Sequence, residues 1–306
     1  MEIAKRLAEK VSNIEPTLDV FDERFFPDRN EEKEVVTSYF LFMTAIDHRT
    51  RVGGTYQKEI DGERFFGSDL LFRLAKLKLD ADPDFYTARN MTNLSMRDFK
   101  DVFMPEGVIL RDPEVRVALL RDLGSKLLTL YEGKALNLLD RANERIKGGP
   151  EDPGLLEILK TFIAYSDPVE KKSFLLMKFL KRRGLFNPKD LENEQVPVDN
   201  YLLRIAIRTG LLRLDKSWFP LLRNERNSTL EEDTALRMMT RVAFKIVAEE
   251  AHISPFLLDD FLWSHGRLVC TSERPMCEKC SIKTACLGEG SWFGWAKEPF
   301  NDNWYY

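Results

Sequence analysis

Excess basic charge is missing from this sequence: 46 Lys and Arg stand against 50 Asp and Glu, for a net charge of −4. That balance excludes a globally basic nucleic-acid coat, so any polyanion must meet a local basic patch. Long apolar runs are missing too. No stretch approaches the roughly 18 residues that a membrane span needs, so no membrane partner is expected. The opening MEIAKRLAEK carries charges every few residues and no apolar signal core, which predicts a cytoplasmic protein. Fourteen Pro and 16 Gly are too few for a low-complexity chain. Cysteine is scarce, with four in 306 residues, all in one short segment, which excludes a disulfide scaffold. What the chain does have is 43% hydrophobic residues, enough for a sizeable core in one to three domains.

Helical periodicity dominates the rest. Leu230–Ala251 places Leu236, Met239, Ala243, Ile246 and Val247 on one face, with Asp233, Arg237 and Arg241 largely elsewhere. Ser228 and Thr229 ahead of Glu231 and Glu232 make an N-terminal signal close to a capping box. Pro113–Tyr131, Leu155–Ala164 and Ser173–Arg183 read as further helices. Alternation survives only around Thr55–Phe66, where Asp61-Gly62 can turn a short hairpin. The Gly- and Pro-rich segment Gly148–Gly154 is the best domain boundary. The expected architecture is all-α, with two helical lobes packed around a cleft: residues 1–150 form one lobe and 151–269 the second. A cysteine loop at 270–290 and an aromatic tail at 291–306 follow, and so many aromatics should dock on the body.

Cys270, Cys277, Cys280 and Cys286 are spaced C-x6-C-x2-C-x5-C, which lets four thiolates close around one metal centre. Spacing alone leaves a structural zinc and an iron–sulfur cluster both open. The string FLWSHGRLVCTSERPMCEKCSIKTAC resembles the iron–sulfur loop of endonuclease III and the adenine-mismatch DNA glycosylases. In that family an H-G-R helix end runs into the same four-cysteine spacing, and here His265-Gly266-Arg267 stand in place. The resemblance implies a [4Fe–4S] cluster in a structural role, bracing a loop whose Arg274, Lys279 and Lys283 face phosphates, with Arg267 beside them.

The same helix-hairpin-helix glycosylase superfamily carries a catalytic Asp in a V-D-x-x-x-x-R-x-x-x-R-x-G-L string. Val198–Leu211 is similar, with Asp199 at the Asp position and Arg204 and Arg208 at the arginines, where substrate or nucleic-acid contacts are implied. A fixed carboxylate there answers the positive charge that builds on C1′ as an N-glycosidic bond breaks. Asp199 also reads, from its own neighbours, as the N-cap of the following helix. Bifunctional members add a lysine nucleophile after the hairpin. Ser166–Phe174 aligns with that stretch, putting Lys172 at the nucleophile position and Lys171 one place off. The residues themselves also allow a plain amphipathic helix with a solvated basic face over KKSFLLMKFLKRR. Pro168 and Glu170 replace two hairpin glycines whose N–H groups approach a DNA phosphate, which weakens duplex docking.

A second, fainter resemblance runs over about residues 35–265. The order YFLFMTAIDH, ERFFGSDLLFRLAKL, MTNLSMRDFKDVF, VRVALLRDLGSKLLTLYEG and LLDDFLWS is similar to the queuosine salvage nucleotide N-glycosylases. It implies chemistry at Asp199 on a free nucleotide. The leading expectation is an N-glycosylase, with or without lyase activity, that excises a damaged or modified base from DNA. Hydrolysis of a queuosine-like nucleotide is the alternative. A nucleic-acid-binding protein that has lost catalysis and a redox protein stand behind them. By position, Phe66, Asp69 and Trp263 are expected to line the pocket of a monomeric enzyme.

Overall fold

In chain order, α1 (Glu2–Val11) and α2 (Lys33–Ile46) precede a hairpin of β1 (Gln57–Ile60) and β2 (Glu63–Phe66). Next come α3 (Ser68–Ala81), α4 (Ala88–Thr92), α5 (Met96–Phe103), α6 (Pro113–Leu130), α7 (Ala135–Arg141), α8 (Leu155–Leu159) and α9 (Lys171–Arg182). The last are α10 (Asn200–Arg208), α11 (Phe219–Leu222), α12 (Leu230–Glu250) and α13 (Pro255–Leu268). The computed structural model describes residues 2–15, 20–50, 56–288 and 291–306, apart from the side chains of residues 292 and 293. Among them the structure is mainly helical, and β1 and β2 are the only strands. No helix among them is long and apolar enough to cross a membrane.

The hairpin follows its sequence signal. Ile60 pairs with Glu63 across Asp61 and Gly62, both at positive φ (54° and 80°), the backbone a two-residue turn demands. Thr55, at the start of the expected alternation, lies outside the described residues.

The chain divides into two units, but not at Gly148–Gly154. Unit 1 comprises Met1–Leu18 and Glu194–Asn303; unit 2 comprises Asp19–Asn193 and Trp304–Tyr306. The Gly148–Gly154 segment is a tight connector inside unit 2. Glu157 accepts from the N–H groups of Gly148 (2.8 Å) and Gly154 (3.0 Å), and Leu155 and Leu156 bond back to Arg145 and Ile146. Gly148 and Gly154 leave no room for a side chain: a Cβ would meet backbone atoms at 2.2 and 2.5 Å on the first and at 2.6 Å on the second.

Unit 2 is built around α2, buried along its length from Val36 to Ile46, so its neighbours α6, α7 and α9 cover it. Phe26, Phe40, Phe72 and Phe179 pack at one side with centroids 5.2–6.1 Å apart. The fully buried Tyr39 and Tyr165 keep their hydroxyls bonded, to Phe25 O and Leu41 O. In unit 1, α10 packs on both α12 and α13, and α1 lies against α12.

α12 starts as its sequence predicts, with Thr229 and Glu232 closing a capping box. Its inward stripe, however, is Asp233, Leu236, Arg237, Thr240, Phe244, Val247 and Ala248, while Met239 is exposed. The expected apolar face is rotated because Asp233 and Arg237, one turn apart, neutralise each other and go inside together. The tail docks in part on unit 1: Ser228 donates to Phe300 O (2.9 Å) and Lys297 N to Leu222 O (2.8 Å).

Candidate functional site

Asp199 caps α10. Its Oδ1 accepts from Leu202 N–H at 2.9 Å and its carbonyl from Leu203 N–H at 3.1 Å. The residues on either side of it are held by one side chain. Arg237 donates through Nη2 to Asn200 Oδ1 (2.7 Å) and through Nη1 to Val198 O (3.5 Å). Its Nε meets both Asp233 oxygens at 3.0 Å, and the two side chains are 3% and 0% exposed. A buried guanidinium thus reaches the N-terminus of α10 on a paired, low-entropy stem.

Beside Asp199, in the first turn of α10, the half-buried Tyr201 meets Trp263 of α13 edge-on, centroids 6.2 Å apart. The Arg267 guanidinium lies 4.9 Å over the Trp263 ring and Arg204 5.2 Å over Tyr201. Gly266 permits this close packing: a Cβ there would sit 2.6 Å from Tyr201 Cβ and 3.4 Å from Ile205 Cδ1. Of the two residues expected to face substrate, Trp263 packs on Tyr201, two positions after Asp199, and Arg267 packs on Trp263, all within unit 1.

The far end of α10 enters the cysteine segment. Arg204, almost wholly buried, donates to Cys270 O (2.9 Å) and Gly266 O (2.8 Å) and pairs with Glu298 (2.7 Å). Arg208 donates to Ala296 O (2.8 Å), Thr271 O and Ser272 O (2.6 Å each). Both arginines, expected to meet a substrate, are buried here against carbonyls of the cysteine loop and its flanks. Cys270, Cys277, Cys280 and Cys286 line one pocket, walled by Ile205, Val269, Met276 and Ile282. Arg208 Nη1 lies 3.5 Å from Cys270 Sγ, Gly288 N 3.2 Å from Cys286 Sγ, and His265 Nε2 3.4 Å from Cys280 Sγ. Burial holds the His265 imidazole down at about 4, so it is neutral near pH 7. Burial first, and then the other three cysteines, push the Cys280 thiol up to about 11. Among the described residues no three His, Cys, Asp or Glu side chains converge on a single-ion position. Residues 289 and 290, the end of the expected loop, lie outside the described residues.

Lys172 belongs to unit 2. It is fully buried, donates through Nζ to Ala45 O (2.7 Å) and lies 3.3 Å from His48 Nδ1. Lys171 Nζ donates to Asp47 O (3.1 Å), and Arg116 donates to Ile46 O and His48 O. Three basic side chains thus satisfy carbonyls at the end of α2 and just beyond it. Burial, followed by Lys171 and Arg116, pushes Lys172 well below the ordinary lysine range, and burial with Arg116 and Lys172 does the same to His48. The α9 stripe is therefore not a solvated face, since Lys171, Lys172 and Lys178 are all buried. Asp167 accepts from the N–H groups of Val169 (3.1 Å), Lys171 (2.9 Å) and Lys172 (3.4 Å). The N-terminus of α9, where a hairpin would offer N–H groups to phosphate, already holds a carboxylate. Glu170 stands at φ 59° in the left-handed region that glycine favours.

Phe66, 40% exposed on β2, and Asp69, half-buried in the first turn of α3, also belong to unit 2. Arg274 and Lys279 are exposed on the cysteine loop, and Lys283 lines the cysteine pocket. Sequence reading missed Arg237, Asp233, Asn200 and Tyr201; only the Asp233–Arg237 spacing of four carried a signal. It also missed His48, Arg116 and Asp167. Compared with protein-family models and with curated protein sequences, the chain matches none.

Proposed function

We propose that this chain is an N-glycosylase that removes a damaged or modified base, in DNA on the first reading, with Asp199 as its catalytic carboxylate. The observation that carries the reading is the fixation of Asp199. Its carboxylate is held by the Leu202 N–H, with its two sequence neighbours on a buried guanidinium. A carboxylate locked before the reaction stabilises the C1′ cation without reorganising at that moment. Water attacks C1′ under its direction. Tyr201 and Trp263 offer ring faces for a base, and Arg267 a positive charge for a phosphate.

Burial pushes the Lys172 amine well below its ordinary range, but its enclosure against Ala45 O and His48 supports a role in holding the end of α2. On this reading borohydride traps no sugar adduct. An adduct lost in Lys172→Gln and kept in Lys171→Gln would make Lys172 the nucleophile.

The second reading, a free queuosine-like nucleotide as substrate, is favoured by Asp167, which fills the α9 N-terminus that a DNA phosphate would need. The deciding experiment offers the protein a panel of damaged oligonucleotides and free modified nucleotides. Base release from either, abolished in Asp199→Asn, supports the chemistry and names the substrate class. Equal release by the variant rejects Asp199.

The four cysteines fit a [4Fe–4S] cluster. Their side chains line one pocket, and three of their sulfurs have an N–H group or imidazole nitrogen close by, as cluster ligands do. Cys270, Cys277, Cys280 and Cys286 would hold it, and the cluster would supply cross-linking order to the loop. Arg204 and Arg208 tie that loop to α10.

A further inference from the structure

We infer that Arg237 is a positioning residue for Asp199, acting through Asn200 and the Val198 carbonyl; this rests on the reading of Asp199 as the catalytic group. Asp199 is a cap residue, so its side chain is aimed by the backbone of the residues on either side. Those two are held by the same guanidinium, at 3.5 Å on the Val198 carbonyl and 2.7 Å on the Asn200 amide oxygen. Arg237 cannot drift, because its Nε is fixed to both oxygens of the buried Asp233, one turn earlier on α12. The fork therefore carries the rigidity of a 21-residue helix to the first turn of α10.

The chemistry of the fork is specific. A guanidinium has donors in a fixed plane and can bond Asp233 and the α10 terminus together. A lysine ammonium at the same place keeps the charge opposite Asp233 but cannot span both sets of acceptors. Asn200 is half-buried at the first helical position, so truncating it removes one arm of the fork without leaving a buried charge unpaired. Thr229→Ala weakens the start of α12 by removing its cap and leaves the fork intact, which makes it the control for loss of stability alone.

The experiment is hydrogen exchange on the full-length protein, followed by turnover on whichever substrate the panel identifies. The amides of Leu202 and Leu203 report directly, because they bond the Asp199 carboxylate and carbonyl. In Asn200→Ala and Arg237→Lys these two amides should exchange about tenfold faster, the scale of one hydrogen bond to a charged group. The rest of α10 and α12 should stay protected. Asn200→Asp, which keeps an acceptor for Arg237, should restore protection. In turnover kcat should fall about tenfold in Asn200→Ala with KM unchanged, while Thr229→Ala leaves kcat as it was. Unchanged Leu202 protection in both variants, or equal loss of protection throughout the unit, overturns the inference. If the two amides loosen as expected but wild-type protein cleaves no N-glycosidic bond, the fork stands and the reading of Asp199 falls.

Discussion

Asp199 uses a carboxylate oxygen to cap α10, and asparagine caps a helix about as well. Asp199→Asn should therefore change stability by less than about 0.5 kcal/mol, while base release falls about 100-fold or more, as for a lost electrostatic stabiliser. Thermal unfolding beside a turnover assay measures both. The cap was legible in the sequence, since an Asp ahead of an amphipathic run needs only local information. The surroundings of Lys172 were not: its neighbours Ala45 and His48 are more than 120 residues away. A second residue-scale expectation comes from His48. Burial keeps its imidazole uncharged well below the ordinary 6.5, while the unfolded chain takes up a proton near 6.5. Below that value the unfolded state binds more protons, so this contribution is complete above about pH 6.5 and is lost as pH falls, by at most about 1.4 kcal/mol per pH unit. Comparing the stability of wild type and His48→Gln between pH 7 and 5 isolates it from Asp167, whose burial works in the opposite direction. A wild-type slope no steeper than that of the variant would mean that His48 is charged in the fold.

Among elements, local signals gave starts and turns, and paired charges decided which faces went inside. The Asp61-Gly62 hairpin and the Thr229 capping box could be read because each is complete within four residues. The inward face of α12 could not, because Asp233 and Arg237 read as solvent-facing until their mutual pairing and the Asn200 contact are seen. The glycine of the H-G-R string is a similar case. Its presence was evident and its reason was not, for it lies in the contact of α13 with Tyr201 and Ile205 of α10. Gly266→Ala should overpack that contact and cost about 1–3 kcal/mol, lowering the melting temperature by about 2–4 °C for each kcal/mol. The near-ultraviolet circular dichroism of Tyr201 and Trp263 should change with it. Unaltered melting and spectrum would mean that α10 and α13 separate at no cost, contrary to the 2.6 Å approach.

At the scale of the molecule, unit 1 takes its first helix from one end of the sequence and its cysteine segment from the other. A boundary between Asn193 and Glu194 was not legible, because what joins α1 to unit 1 is contact with residues more than 200 positions later. α1 presents Ile3, Ala4, Leu7, Ala8 and Val11 inward, and it meets both α12 and the turn at Lys283–Ala285 between the third and fourth cysteines. Ile282 and Ala285 are buried there. The N-terminal helix thus covers one side of the segment that would hold the cluster, whose ligands lie on short turns with few apolar contacts of their own. Protein purified without oxygen should contain about four irons and negligible zinc, and one zinc per chain would reject the cluster. If α1 closes that side, removing residues 1–15 should leave the full-length complement of cysteines but a poorer hold on the metal. Iron should then pass to a strong chelator several times faster than from the intact chain. Helical content should fall by little more than the ten residues of α1 itself. Equal release rates with and without α1 would show that the four cysteines and the arginines of α10 suffice to order the loop.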